Sequence, residues 1–383
     1  MFNYEYPPIG GGGGVICKDI AEELVVLGNE VTVITSCYKG LEVYEKLNGV
    51  EIVRVKILNR SQQNVASLVS LLSYVPSSIR MANKILSKRK FDIINTHFAI
   101  PTGPAGQHIS NKFNIPNVLS IHGGDIFDPS KSLSPHKTFG LKQTVKNILL
   151  RASRVVAQST DTKQNALTLY GIKREIDIIP LGIKPNGFSS KSRNQLSVPK
   201  DKSIFITVGR LIKRKNIEEL IDIFCEVRKV FSAHLLIIGD GPMRDILQQK
   251  IYSLNLQNEI KFLGRVTEEE KFQYLSLADV YVSTAMHEGF GIVFLEAMEC
   301  GLPVVCYDRG GQGDFLRNEK TGYLISIGDK KSFVTDLLFL LSHPELKAKI
   351  CSFNREYVRS FHINNIAKQY LELFKDTLNR SGN

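Results

Sequence analysis

The segment STAMHEGFGIVFLEAMECGLPVV carries two glutamates, Glu288 and Glu296, separated by seven residues. The apolar run before it, DVYVST, reads as a strand. A helix is predicted from about Gly291 through Cys300, stopped by Gly301 and Pro303. Glu288 then lies in the loop and Glu296 in the second helical turn. The backbone N–H groups of Phe290, Gly291 and Ile292 open that helix, where unpaired donors and the helix dipole favour an anion. Two carboxylates around such a site suit a pyrophosphate whose attached sugars offer hydroxyls to each. The alternative is a Glu296 that only caps or solvates a surface helix. Its apolar neighbours Phe294 and Leu295 weigh against that.

Three further stretches carry chemistry. In ITVGRLIKRKN a strand ends at Val208, Gly209 follows, and Arg210 and Lys215 project beyond the strand end. An Arg–Lys pair there binds a pyrophosphate and stabilises charge developing on a leaving phosphate. The competing reading is a solvated basic turn with Lys213 and Arg214. In LSIHGGDIF, His122 follows a strand and precedes two glycines and Asp125. Such a histidine hydrogen-bonds a substrate hydroxyl or moves a proton. His97, in THFAIPTGPAG, stands at another strand end and is expected to face an acceptor, with a packed or capping histidine as the alternative. Five glycines, Gly10 to Gly14, precede an amphipathic helix. They allow either a close approach of backbone N–H groups to a phosphate or an ordinary tight turn.

The elements that must hold these residues follow from hydrophobic periodicity. Val15, Ile16, Ile20, Leu24 and Leu27 recur at helical spacing, ending near Gly28. Strands are predicted at EVTVIT, GVEIVRVKIL, FDIINTH, NVLSI, ASRVVA and IDIIP. After a loose, polar stretch at 184–202, taken as a linker, a second series follows: SIFITV, AHLLII, EIKFL, ADVYVS, LPVVCY and TGYLIS. Helices between them include IEELIDIFCEV and MRDILQQKIYSL, and a last helix is expected at about 364–379. Strands alternating with helices imply an α/β protein of two doubly wound, Rossmann-like domains with a cleft between them, ligands binding beyond the strand ends. Only MFNYEY precedes the two prolines ahead of the glycine run, so the first strand is expected to be short at best.

At this point the residues resemble a family: the two-domain GT-B glycosyltransferases of family 4. The similarity covers nearly the whole length, through PPIGGGGG, HGGD, GRLIKRKN, IIGDGP and HEGFGIVFLEAMECGLPVV. The Glu-x7-Glu segment is its most specific part and the glycine run its least. The resemblance implies an acceptor domain at 1–185, a nucleotide-sugar donor domain at 186–360 and a C-terminal helix at 361–383 that crosses back onto the first domain. It implies retaining transfer of a sugar from a nucleotide diphosphate sugar to a hydroxyl acceptor. Glu288 would contact donor sugar hydroxyls and Glu296 the ribose. Arg210 and Lys215 would hold the diphosphate, His122 would lie near the donor sugar, and the Gly13–Gly14 backbone would approach the donor phosphates. No metal is expected, since the cations and the helix N-terminus take its electrostatic role. A front-face displacement, with the leaving phosphate oxygen taking the acceptor proton, fits the lack of an obvious carboxylate nucleophile. Asp314, in GGQGDFL, stands where many members of that family have Glu.

Composition is that of an ordinary globular protein with a basic surplus, for which a solvated surface with no special partner is the alternative to an anionic ligand. The 383 residues suffice for two domains, and the net charge of +11 suits a phosphorylated ligand, an anionic membrane or nucleic acid. No nucleic-acid motif is present. The six cysteines form no CxxC pair and read as buried thiols of a reducing compartment. With no apolar run long enough to span a bilayer and no signal peptide, a cytoplasmic protein is expected, with a peripheral position on the inner membrane face as the alternative. For that alternative, Val65, Leu68, Val69 and Leu72 share a helical face, Pro76 breaks the run, and Ile79, Ala82, Ile85 and Leu86 resume it among Lys84, Lys88, Arg89 and Lys90. The acceptor is expected to be a glycan or a lipid-linked hydroxyl. Competing activities are a GT-B-type nucleotide-sugar 2-epimerase and, from the glycine run alone, a nicotinamide oxidoreductase. The latter lacks a well-spaced GxGxxG after a full strand.

Overall fold

The computed structural model describes residues 1–60, 67–128 and 134–381. The chain divides into two compact units, Met1–Lys184 with the segment from Ile363 onward, and Pro185–His362.

The first unit runs α1 (Gly12–Val26), β1 (Thr32–Ser36), β2 (Tyr44–Leu47), β3 (Val50–Val55), α2 (Leu68–Leu86), β4 (Ile94–His97), α3 (Gly103–Phe113), β5 (Asn117–Ile121), α4 (Phe139–Arg151), β6 (Arg154–Ala157), α5 (Thr160–Tyr170) and β7 (Asp177–Ile178). Its strands form two groups, β1-β3-β2 and β4-β5-β6-β7. All pairs are parallel except β2 with β3. The short first strand is what joins them. Phe2 bridges in parallel to both Ile34 of β1 and Thr96 of β4. Its N–H donates to Asn95 (2.9 Å) and its carbonyl accepts from His97 (2.9 Å), while Asn3 N–H donates to Ile34 (3.1 Å).

α1 begins three residues earlier than its apolar spacing suggests, so the glycine run is its cap and first turn. Gly11 is the N-cap, and Gly12, Gly13 and Gly14 are helical. Ile16, Ile20 and Leu24 are buried as expected, but Val15 is exposed. The helix ends at Gly28, whose φ of +87° only glycine adopts easily. Pro76 does not break α2. The helix continues through it, and its second half packs Ile79, Ala82 and Ile85 on the core beside buried Tyr74. Leu68, Val69 and Leu72 stay exposed; Val65 lies outside the described residues.

The second unit runs β8 (Ser203–Val208), α6 (Ile217–Val227), β9 (Ala233–Ile238), α7 (Arg244–Ser253), β10 (Ile260–Gly264), α8 (Glu268–Leu277), β11 (Val280–Ser283), α9 (Ile292–Glu299), β12 (Val304–Tyr307), β13 (Gly322–Ile325), α10 (Lys330–Ser342) and α11 (Pro344–Tyr357). Its sheet is fully parallel, in the order β10-β9-β8-β11-β12-β13. That order reverses between β8 and β11, which defines the switch point of a doubly wound sheet. Buried Phe205, Leu235, Ile237, Val280 and Val282 pack under Leu220, Phe224, Leu247 and Phe333. Residues 185–202 are not a free linker. Arg193 donates to the carbonyls of Pro199, Lys200 and Lys202 at 3.0–3.4 Å and to Asp279 at 2.9 Å, which fastens the stretch to this unit.

The last helix, α12 (Ile363–Ser381), belongs to the first unit. Ile363 N–H donates to Ile183 (2.8 Å), Tyr370 meets Ser120 (3.2 Å), and Arg154 joins Asp376 (2.7 Å).

Candidate active site

The loops after β8 and β11 flank the switch point, where an open parallel sheet binds its ligand. After β8 the chain turns through a short 3-10 helix, Lys213–Lys215. Gly209 leaves room for Lys215, whose Cε would lie 3.1 Å from any Cβ there. Lys215 Nζ donates to Glu288 Oε1. Arg214 lies 3.7 Å from Glu288 Oε2 and donates to the His287 carbonyl. The backbone of Glu288 is fixed from β12: its N–H donates to Arg309 (3.1 Å) and its carbonyl accepts from Gly311 (2.8 Å). Gly310, at φ +117°, is required there, since a Cβ would stand 2.0 Å from the Glu288 carbonyl oxygen. Asp314 closes the short 3-10 turn Gly311–Asp314 that follows.

Glu288 and Glu296 are both buried, yet their carboxyls shift in opposite directions. Burial would raise Glu288, but Lys215 and Arg214 outweigh it and hold the group below the ordinary glutamate value. Burial does raise Glu296, and Lys271 offsets this only in part. Glu296 sits in the second turn of α9, as expected. Its Oε1 accepts from Lys271 Nζ (2.8 Å), while its Oε2 is buried with no hydrogen-bond partner. Lys271 is set by a capping box: the Thr267 side chain accepts from Glu270 N–H (3.2 Å) and the Glu270 side chain accepts from Thr267 N–H (2.8 Å). The box starts α8 and puts Lys271 one turn in.

Gly291 caps α9 at φ +89°, where a Cβ would stand 2.5 Å from the Phe294 ring. Phe294 N–H donates to the Gly291 carbonyl (2.9 Å), so the N–H groups of Ile292 and Val293 are those left without an acceptor in their own helix. Phe290 contributes backbone only; its ring is buried against Phe315. Arg210 is exposed at the start of the β8 loop, and its side chain has no ion pair among the described residues. The structure thus joins Lys215 to Glu288 and adds two residues the sequence reading did not select. Arg214 belongs to the stretch that the sequence leaves open between a phosphate site and a solvated basic turn. Lys271 lies 25 residues from Glu296 in sequence, and only the fold brings them together.

The first unit holds the histidines. His97 ends β4 and His122 follows β5, and parallel pairing of these strands sets the two side by side. His97 Nδ1 lies 3.0 Å from His122 Nε2, and His97 Nε2 lies 2.8 Å from Asn95 Oδ1. His97 is fully buried with both ring nitrogens engaged, so the expectation that it faces an acceptor is not met. Phe98 packs against the His122 ring, centroids 4.5 Å apart, and Asp125 accepts the His122 backbone N–H (2.9 Å). His122 Nδ1 is buried without a partner. Burial holds His122 down at about 4 and, with His122 beside it, His97 well below the ordinary histidine range.

The glycine run packs beside this pair rather than offering every N–H to a phosphate. A Cβ on Gly13 would stand 2.4 Å from the Phe98 ring, and one on Gly14 would stand 2.5 Å from the Glu5 carbonyl oxygen. Gly14 is buried and its N–H donates to Gly11 (3.0 Å), which takes it out of reach of a ligand. Gly11 N–H already meets the Glu5 carboxylate (3.2 Å). Close packing therefore favours glycine at both positions, and at Gly14 the N–H is also taken by the helix turn.

Two doubly wound units, one with cations and paired carboxylates at its switch point, define a GT-B glycosyltransferase. Residues 10–186 match the family described as Glycosyltransferase Family 4, and residues 188–357 match Glycosyl transferases group 1. The chain belongs to the family 4 glycosyltransferases, enzymes that move a sugar from a nucleotide-sugar donor. It is 28% identical to an uncharacterized glycosyltransferase of Methanocaldococcus jannaschii over 100% of this chain and 99% of that one. It is 25% identical to the N-acetyl-alpha-D-glucosaminyl L-malate synthase of Bacillus anthracis over 97% and 96%. Among solved structures, sucrose-phosphate synthase from Thermosynechococcus elongatus superposes with a TM-score of 0.81 at 22% identity, covering 96% of this chain and 93% of that one. Anabaena HepE, solved in complex with UDP-glucose, superposes with a TM-score of 0.76 at 22% identity, covering 98% of each chain. These relatives are transferases and synthases, and the epimerase reading gains nothing from them.

Proposed function

We propose that the chain is a retaining, metal-independent hexosyltransferase that holds a nucleotide diphosphate sugar in its second unit and glycosylates a hydroxyl of a glycan or lipid-linked acceptor. The observation that carries this is the Lys215–Glu288 pair at the switch point, beside the open N-terminus of α9. Lys215, Arg214 and the α9 N–H groups supply positive charge where a diphosphate binds and departs, the electrostatic work a divalent ion does elsewhere. Glu296 Oε2, buried and unpartnered, suits a ribose hydroxyl. Glu288 is tied to two cations and is a poor nucleophile, so the reading favours front-face displacement. The anomeric C–O bond to the phosphate breaks, the C–O bond to the acceptor forms on the same face, and the leaving phosphate oxygen takes the acceptor proton. His122 serves as a hydrogen-bond acceptor for a substrate hydroxyl.

The acceptor's class rests on α2. Leu68, Val69 and Leu72 are exposed at the start of α2, an apolar ridge suited to a lipid surface. No helix among the described residues is long and apolar enough to cross a membrane. The proposed location, cytoplasmic and peripheral, rests on that exposed ridge. Nucleic acid is not a proposed partner. Thermal unfolding in chelator with UDP, GDP, ADP and their sugar conjugates tests the donor site. One nucleotide diphosphate should raise the midpoint, and Lys215→Met should abolish the rise. A rise seen only with added divalent ion overturns metal independence. Product analysis by proton NMR should find the donor's anomeric configuration kept; an inverted product, or an isomerised donor formed without acceptor, overturns the mechanism.

A further inference from the structure

The two histidines of the first unit form one end of a chain of hydrogen bonds whose polarity is fixed at its other end. Asn95 Nδ2 donates to the Val118 carbonyl (3.0 Å) and to Ser120 Oγ (3.1 Å). The amide cannot be turned over, because its oxygen would then face the Val118 carbonyl oxygen at the same distance. Asn95 Oδ1 is therefore the atom facing His97 Nε2, and that nitrogen must carry the hydrogen. A neutral His97 then has a lone pair at Nδ1. His122 Nε2, 3.0 Å away, must bring the hydrogen for that contact. The last atom of the chain, His122 Nδ1, is left with a lone pair and no partner.

We propose that Asn95 and His97 are positioning residues that lock His122 as its Nε2–H tautomer, so that Nδ1 accepts a hydrogen from a substrate hydroxyl or N–H and turns away a carboxylate or carbonyl oxygen. Neutral Asn95 is suited to this role: unlike an aspartate it accepts the Nε2–H without drawing a second proton onto His97. Ser120, which receives the Asn95 amide, also meets the Tyr370 hydroxyl (3.2 Å), so α12 braces the same chain from behind. The His97 and His122 rings meet edge to edge, centroids 5.2 Å apart and planes 27° from parallel, as an N–H···N bond between them requires. His122 as a whole is half-buried, whereas His97 is fully buried. The inference rests on the transferase reading for its substrate but not for its tautomer.

The deciding measurement is nitrogen-15 NMR of the full chain labelled at histidine, since protonated and lone-pair imidazole nitrogens resonate far apart. Spectra of His122→Gln and His97→Asn assign the signals. At pH 7 both rings should be neutral with hydrogen on Nε2. An Nδ1–H tautomer, or an imidazolium, at His122 overturns the proposal. His97→Leu should leave His122 in mixed tautomers and lower kcat/KM with UDP-glucose about tenfold, one unmade hydrogen bond in rate. His97→Asn, whose Oδ1 stands near the place of the histidine Nδ1, should keep the tautomer and most of the rate. Equal rates for the Leu and Asn variants overturn the positioning role. If the tautomer is as stated but the unmodified protein transfers nothing from UDP-glucose, the hydrogen-bond chain stands and the fault lies in the donor reading.

Discussion

Lys271 decides what Glu296 can do. The carboxylate is buried in the second turn of α9, and Lys271, itself 8% exposed, is shared between it and Glu268, each at 2.8 Å. One carboxylate oxygen is thereby consumed and the other left for a ligand. Without the ammonium, burial would push the carboxyl further up and protonate it, converting an acceptor into a donor. Lys271→Met is therefore expected to weaken binding of the nucleotide diphosphate about tenfold and to lower the thermal midpoint. Adding Glu296→Gln should return most of the lost stability, because no buried charge is then stranded, but not the affinity. Calorimetric titration with the three proteins separates these effects, and unchanged affinity in Lys271→Met would remove Lys271 from the site. Lys215 and Glu288 stand differently. There the cations win over burial, and Glu288 stays ionised and anchored.

Among the elements, those with one clear period were legible from the sequence. α6 runs Ile217–Val227, matching IEELIDIFCEV, and α9 starts on a left-handed glycine and stops at Gly301 as its end signals required. Glu288 in a loop and Glu296 one helix turn beyond could be read because local signals fix both. Lys271, Arg214 and the buried state of His97 could not, since each depends on which strands become neighbours. β2 was missed for another reason: YEKL is mostly exposed and antiparallel, with no apolar period to betray it. The glycine run also serves packing. Glycine permits close approach, and protein itself approaches it: Phe98 against Gly13 and the Glu5 backbone against Gly14. Substitutions tell the two explanations apart. Gly14→Ala should destabilise by about 1–3 kcal/mol, the overlap exceeding the gain of about 1 kcal/mol in helix propensity. Gly12→Ala, with open space around it, should be neutral or stabilising by a few tenths of a kcal/mol. Denaturant unfolding of both variants measures this, and a stable Gly14→Ala would reopen the case for a ligand there.

At the scale of the molecule, two units with separate cores carry their ionisable groups under different terms, and acid stability should reflect the histidines of the first. His122 is held at about 4 in the fold against an ordinary value of 6.5, and His97 is lowered further into the same neutral range by burial and by His122. Their rings face each other, Phe98 and the Asn95 amide, with Asp125 spent on backbone N–H groups of His122 and Ala99. Between pH 6.5 and 4 the unfolded chain binds protons at these sites that the folded chain refuses. The stability they contribute is thus complete above pH 6.5 and is lost as the pH falls. For His122 alone the loss between pH 7 and pH 5 is about 2 kcal/mol. His234 in the second unit, lowered mainly by burial, acts with the same sign. Glu296 and Asp19 are raised by burial and oppose the trend at the acid end, so comparison with a variant is needed to isolate the histidine part. Calorimetric scans from pH 7 to pH 5 should lower the midpoint of the unmodified protein more than that of His122→Gln, which carries no titrating ring at that site. Parallel curves for the two proteins would mean that His122 charges freely in the fold, and would count against its place in a buried, neutral pair.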